Sequence, residues 1–261
     1  MGLDVEVKTE FEDSIEGMLV FSAKADSDAE IYADIPFGTE KREFFDNLPA
    51  DDELAFSGQV YGRNWCSFSA EGNPVAIVTQ NCSIYYIYRK EAQEMQLVLN
   101  RSMPLKTRTD RWAGKMPEET NGTGKNDYNF SLIFAEKLGQ SYDIHKYHRN
   151  RAFPACARLK LDTGKTKAKA HDSLVKADND NIINTAAYNC GGRTIARFFE
   201  CDGQKTQCRI SLPFDTQSVR AVDFEGNEMP DVKASFDAAK KEVVVDFEPY
   251  KIVTLELTRN F

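Results

Sequence analysis

The run TIARFFECDGQKTQCRISLP at residues 194–213 limits what this chain can fold into more than any other stretch. Two short β-rich arms flank Asp202-Gly203, and Asp-Gly between such arms predicts a tight hairpin because both turn residues tolerate positive φ. On the first arm Ile195, Arg197, Phe199 and Cys201 share one face, and Ala196, Phe198 and Glu200 share the other. The second arm sends Cys208, Ile210 and Leu212 one way and Arg209 and Ser211 the other. None of these side chains stands in a pattern that chemistry requires.

The same unit recurs along the chain. Strands are predicted at 5–11, 17–25, 30–37, 53–70 with a bend near Gly62, 75–82, 83–89, 94–101, 127–136 and 156–161. Further strands follow at 174–177, 182–190, 218–224, 232–238, 242–248 and 251–258. The stretch 40–52 reads as polar and irregular, and 102–125 holds no period at all. Only 140–151, QSYDIHKYHRNR, reads as a helix, with Ser141 as its N-cap. Many short strands between turn signals predict an all-β fold rather than alternating βαβ units. The small, polar, basic segment DTGKTKAKA at 162–170 marks a linker, so the expected organisation is a domain at 1–164, a linker at 165–173 and a second domain at 174–261.

Composition then removes whole classes of function. The net charge is -8, which argues against nucleic acid or an anionic membrane as the main partner, since both demand a basic face. No apolar run approaches the roughly 20 residues of a membrane-crossing helix. The start MGLDVEVKTE carries neither the basic nor the apolar region of a signal peptide and begins directly in a strand pattern, as at a boundary within a longer polypeptide. The six cysteines, Cys66, Cys82, Cys156, Cys190, Cys201 and Cys208, form no CxxC pair and are expected as buried free thiols in a reducing cytoplasm. Asn-x-Ser/Thr matches at Asn81, Asn100, Asn121 and Asn129 are discounted on the same ground. No acidic pair is framed by a glycosidase-like motif, and no GxGxxG or P-loop is present. His145 and His148 share a helix face at i, i+3, but no third metal ligand follows at typical spacing, so they read as polar helix surface. The cysteines sit in strand patterns far along the chain from the histidines, which disfavours a cysteine nucleophile.

Four landmarks in order carry a resemblance: Ile35-Pro36-Phe37-Gly38 after a strand, LVLNRSM at 97–103, IARFFECDG at 195–203, and FEPYKIVTLEL at 247–257. Together they resemble the C-terminal β region of family 38 glycoside hydrolases, the α-mannosidases. The resemblance implies a large supersandwich of the galactose-mutarotase type followed by a smaller terminal β-sandwich. It also implies an upstream catalytic domain in the same parent chain, holding zinc or another divalent metal and the catalytic aspartates, so that neither catalytic residue nor cofactor is expected here. The implied partners are that domain and carbohydrate, with oligomer formation left open. In the family, loops of the β region can approach the active-site mouth, which makes Arg101, Asp110, Arg111 and Trp112 the candidates for sugar contact. An indole stacks on a sugar face, while arginine and aspartate bond its hydroxyls. Two other readings stand beside this one. A freestanding carbohydrate-binding module would need an exposed aromatic platform, from Trp65, Trp112 or the ten tyrosines. A mutarotase-like epimerase would need a histidine acid, and His145, His148 and His171 are the only histidines.

Overall fold

The computed structural model describes residues 2–11, 17–42, 58–80, 85–102, 124–135, 142–152, 175–212 and 215–259. The chain divides into two compact units, one of Met1–Pro36 and Glu40–Pro154 and one of Phe37–Thr39 and Ala155–Phe261. The proposed linker at 165–173 and the strand predicted at 156–161 lie outside the described residues.

The first unit begins with β1 (Gly2–Phe11), β2 (Gly17–Lys24), β3 (Ile31–Ile35), β4 (Gly38–Arg42), β5 (Gln59–Tyr61) and β6 (Trp65–Ala70). It continues with β7 (Asn73–Thr79), β8 (Tyr85–Arg89), β9 (Glu94–Ser102), β10 (Gly124–Phe134) and one helix, α1 (Tyr142–Ala152). The strands form a six-stranded sheet in the order β1-β10-β7-β6-β3-β4 and a four-stranded sheet in the order β2-β9-β8-β5. Ile31, Phe68, Ile77 and Phe130 from the larger sheet meet Val60, Tyr86, Met95 and Leu97 from the smaller in one core. Alternate residues of every strand of the unit except β4 supply this core, which is why the alternation was readable. Helix α1 covers the other face of the larger sheet, where Ile144 packs with Trp65, Ala76, Val78 and Ile133. A sheet covered on both faces loses its alternation, and Trp65, Cys66, Ser67 and Phe68 are accordingly all buried in succession.

The second unit holds β11 (Lys176–Ala177), β12 (Ile182–Cys190), β13 (Arg193–Glu200), β14 (Thr206–Ser211), β15 (Thr216–Val222), β16 (Ala234–Asp237), β17 (Glu242–Phe247) and β18 (Ile252–Arg259). Two four-stranded sheets, β11-β14-β17-β16 and β12-β13-β18-β15, close on a core that includes Phe198, Cys208, Ile210, Val245, Phe247 and Leu255. Both units are thus antiparallel all-β, as expected, and no helix among the described residues is long and apolar enough to cross a membrane.

The Asp202-Gly203 turn departs from expectation. Its arms form strands, β13 and β14, with the anticipated inward and outward residues, but they do not pair with each other. β13 lies between β12 and β18, while β14 lies between β11 and β17 in the opposite sheet. The turn therefore crosses from one layer of the sandwich to the other, so that Phe198 and Ile210 face each other's layer across the core instead of lining one sheet. The tight hairpin of this region is the preceding one: Cys190 pairs with Arg193, and Gly191 and Gly192 between them both take positive φ, 56° and 80°. The last three residues of β4 fall in the stretch read as polar and irregular; the strand has a single buried residue, Gly38, so no apolar alternation marked it.

Candidate functional site

The residues predicted to contact sugar are mostly beyond description. The Arg101 backbone sits in β9 opposite Met18 of β2. Asp110, Arg111 and Trp112 lie outside the described residues, as do His171, Cys82 and Cys156. The other tryptophan, Trp65, is fully buried and meets His145 edge-on at 5.7 Å, so it offers no platform. Cys66, Cys201 and Cys208 are buried free thiols as expected, whereas Cys190 is exposed at the glycine hairpin. Burial pushes the Cys66 thiol well up and the Cys208 thiol to about 11, the opposite of what a nucleophile needs.

The first unit instead brings together a cluster that the sequence hides. On β3, Ile31 and Ala33 point to the main core, so Tyr32 and Asp34 must point to the helix-covered face. Asp34 is only 2% exposed there. Asn64, in the turn before β6, donates its side-chain amide to Asp34 Oδ2 at 2.6 Å. The Asn64 carbonyl in turn accepts from the Thr79 backbone N–H at 2.8 Å and the Thr79 hydroxyl at 3.0 Å, and the Arg63 N–H donates to the Asp34 carbonyl at 2.7 Å. From α1, His145 Nε2 lies 3.8 Å from Asp34 Oδ1. His148, one helical turn from Ile144, is buried as well. The two histidines are therefore part of the helix's docking face and not polar surface. A helix whose inner stripe is Ile144, His145 and His148 has little apolar signature, which explains the misreading.

The charges of this cluster are displaced in opposite directions. Burial pushes the Asp34 carboxyl up to about 7, against the opposing pull of the Asn64 amide and the Arg63 guanidinium. Burial also holds His148 below the ordinary imidazole value, reinforced by Arg63 and Arg149. Chemically, the cluster can keep a proton on Asp34 near neutrality. Its groups are buried between β3, the turn at Asn64 and α1.

In the second unit the polar organisation is structural. Glu200 is fully buried and accepts three hydrogen bonds, from the Asn181 side chain at 2.9 Å, the Asp202 N–H at 2.9 Å and the Tyr250 N–H at 2.9 Å. It ties the crossing turn to segments distant in sequence. Gly203 takes φ +68°, and a Cβ placed on it would lie 2.7 Å from the Tyr250 ring. On β18, Glu256 is 6% exposed and is clamped by Arg220 Nε at 2.6 Å and Arg193 Nη1 at 2.9 Å, with Arg220 foremost in holding its carboxyl below the usual range. A hollow of about 150 Å³ opens among Lys205, Lys233, Lys251, Asp231, Asp246 and Glu248, but both signs of charge line it and Lys205 is bound to Glu248 at 2.7 Å. No group of three or more His, Cys, Asp or Glu among the described residues is placed to hold a metal.

These features agree with what the chain is similar to. Residues 186–255 match the model of the glycosyl hydrolases family 38 C-terminal beta sandwich domain. That segment holds the glutamate-anchored turn and most of the closing landmark at 247–257. Among solved structures, the chain is similar to a protein in glycosyl hydrolase family 38 from Enterococcus faecalis, with TM-score 0.70 and 12% identity over 98% of this chain and 28% of that one. It is also similar to an alpha-mannosidase from Enterococcus faecalis V583, with TM-score 0.65 and 12% identity over 96% of this chain and 25% of that one. At such identity the likeness is one of fold, and the chain spans about a quarter of the length of these proteins. No curated protein sequence matches it. The resemblance carried by the landmarks is borne out: residues 186–255 match the family 38 C-terminal beta sandwich domain, and nearly the whole chain has a fold similar to part of these two proteins.

Proposed function

We propose that the chain is the non-catalytic C-terminal β region of an α-mannosidase-like glycoside hydrolase, in which an upstream catalytic domain of the same polypeptide hydrolyses α-mannosides. The observation that carries this reading is the family match at 186–255 together with a fold likeness over nearly the whole chain to about a quarter of a family 38 protein. Its own work is to brace the catalytic domain and to contact carbohydrate, with Arg101 near the end of β9 and Asp110, Arg111 and Trp112 beyond it assigned to the sugar. Zinc or another divalent ion belongs, in this reading, to the catalytic domain; the described residues of this chain bring no ligand set together for it. The free cysteines suit a reducing compartment, and the cytoplasm is the assigned location.

The test is an assay of the purified chain with a chromogenic aryl α-mannoside, with and without added zinc. No turnover above buffer is expected. Turnover that follows the purified chain through successive columns would overturn the reading.

A further inference from the structure

We infer that the stacked pair Tyr61–Tyr85 is a carbohydrate platform that takes a pyranose ring on the open face of Tyr61; this rests on the reading of the chain as part of a mannoside hydrolase. Along β8, Tyr86 and Tyr88 point into the core, so Tyr85 and Ile87 point outward. Tyr61, on β5 at the edge of the four-stranded sheet, stands directly opposite Tyr85 in register. The two rings stack with centroids 5.1 Å apart and planes 26° apart. Tyr85 thus backs one face of the Tyr61 ring, and Tyr61 is nevertheless 53% exposed.

The ring is held before any ligand arrives. Its hydroxyl donates to Gln59 Oε1 at 3.1 Å, and the backbone carbonyl of Tyr61 accepts from Arg42 Nη2 at 3.3 Å. Arg42 Nη1 is paired at 3.0 Å with Glu40. A pyranose presents a patch of C–H groups on one face and hydroxyls around its rim. An exposed aromatic face with the Gln59 carboxamide at its hydroxyl edge, and the Arg42–Glu40 pair bound to the same strand's backbone, offers both parts, and the stacked ring spares ordering entropy on binding. The other exposed apolar groups fit less well. Leu3 is aliphatic, and the Phe224 ring is capped by the Arg197 guanidinium at 4.4 Å.

The experiment is an NMR titration of methyl α-mannopyranoside and an α-linked mannobiose against the full chain and three variants. The expected result is saturable binding with upfield ring-current shifts of sugar C–H protons. Tyr61→Ala should weaken it by about tenfold, the loss of one stacking contact. Tyr61→Phe keeps the ring and should stay within about threefold. Tyr61 is an exposed edge residue, so an unchanged thermal midpoint checks that the variants fold. Binding lost in Trp112→Ala but retained in Tyr61→Ala would overturn the platform while leaving carbohydrate contact by the loop intact. Absence of saturable binding to the parent chain would overturn the platform and the carbohydrate contact together.

Discussion

Replacing Asp34 by asparagine should make the first unit more stable at neutral pH and change the sign of its pH response. The carboxyl is buried between β3, the Asn64 turn and α1, and burial pushes it from the ordinary 3.8 up to about 7. A group whose folded value is raised contributes stability that is full below its unfolded value and is lost as pH rises to the folded one. Asp34 therefore weakens the fold progressively from about pH 4 to about pH 7, by at most about 4 kcal/mol at 1.36 kcal/mol for each pH unit. His148 acts oppositely: its value is lowered by burial, so its contribution is present above its ordinary 6.5 and is lost as pH falls below it. In the parent chain the two slopes oppose each other just below pH 6.5. Among the described residues, Arg63, Arg149 and His145 also face them. Asparagine is isosteric and keeps an acceptor for the Asn64 amide. Both tryptophans, Trp65 and Trp112, belong to the first unit, so their fluorescence during urea unfolding reports on that unit. The advantage of Asp34→Asn over the parent should grow between pH 4.5 and 7.5, toward about 3 kcal/mol. A difference that stays constant over that range would refute the buried, proton-holding Asp34.

Three further outcomes follow from the second unit. Glu200→Gln should destabilise it by about 1–3 kcal/mol, because the new amide donor must face one of the N–H groups that now bond the carboxylate; chemical denaturation monitored by circular dichroism measures this. Gly203→Ala should cost about 2 kcal/mol, and less in a Tyr250→Ala background, where the ring that meets the added Cβ is gone; strictly additive effects in this double-mutant cycle would contradict the packing. Glu256→Gln should destabilise at pH 7 and lose its effect on acidification, since a carboxyl with a lowered value contributes stability above its ordinary 4.5 that is lost as pH falls below it; unfolding midpoints of the two proteins should converge as pH falls below 4.5.

What could be read from residues alone divides along a physical line. Strand positions and faces were legible wherever one face met a core, as in Cys208, Ile210 and Leu212, because alternation is a local property. The partner of a strand is not local. Asp202-Gly203 looks like a hairpin turn, and only the convergence of Asn181, Tyr250 and Glu200 makes it a crossing between layers. The Asp34 cluster escaped because its members come from β3, the turn at Asn64 and α1. A signal did exist: an acidic residue within the apolar run Ile31–Ile35 had to be buried or outward, and the helix that covers that face was itself predicted. The i, i+4 spacing of Ile144 and His148 marked the same inner stripe. The sugar-contact residues after Arg101 were singled out by the family resemblance, and their positions lie outside the described residues.

The central claim is that this chain is the β region of a larger mannoside hydrolase. The most direct measurement is to recover the native polypeptide from its own cells with an antibody against the second unit, determine its mass, and assay the recovered material for α-mannosidase activity. The account predicts a polypeptide several times the length of this chain, with zinc-dependent or other metal-dependent α-mannoside hydrolysis in the same preparation. A native product of only 261 residues with no larger form would contradict it.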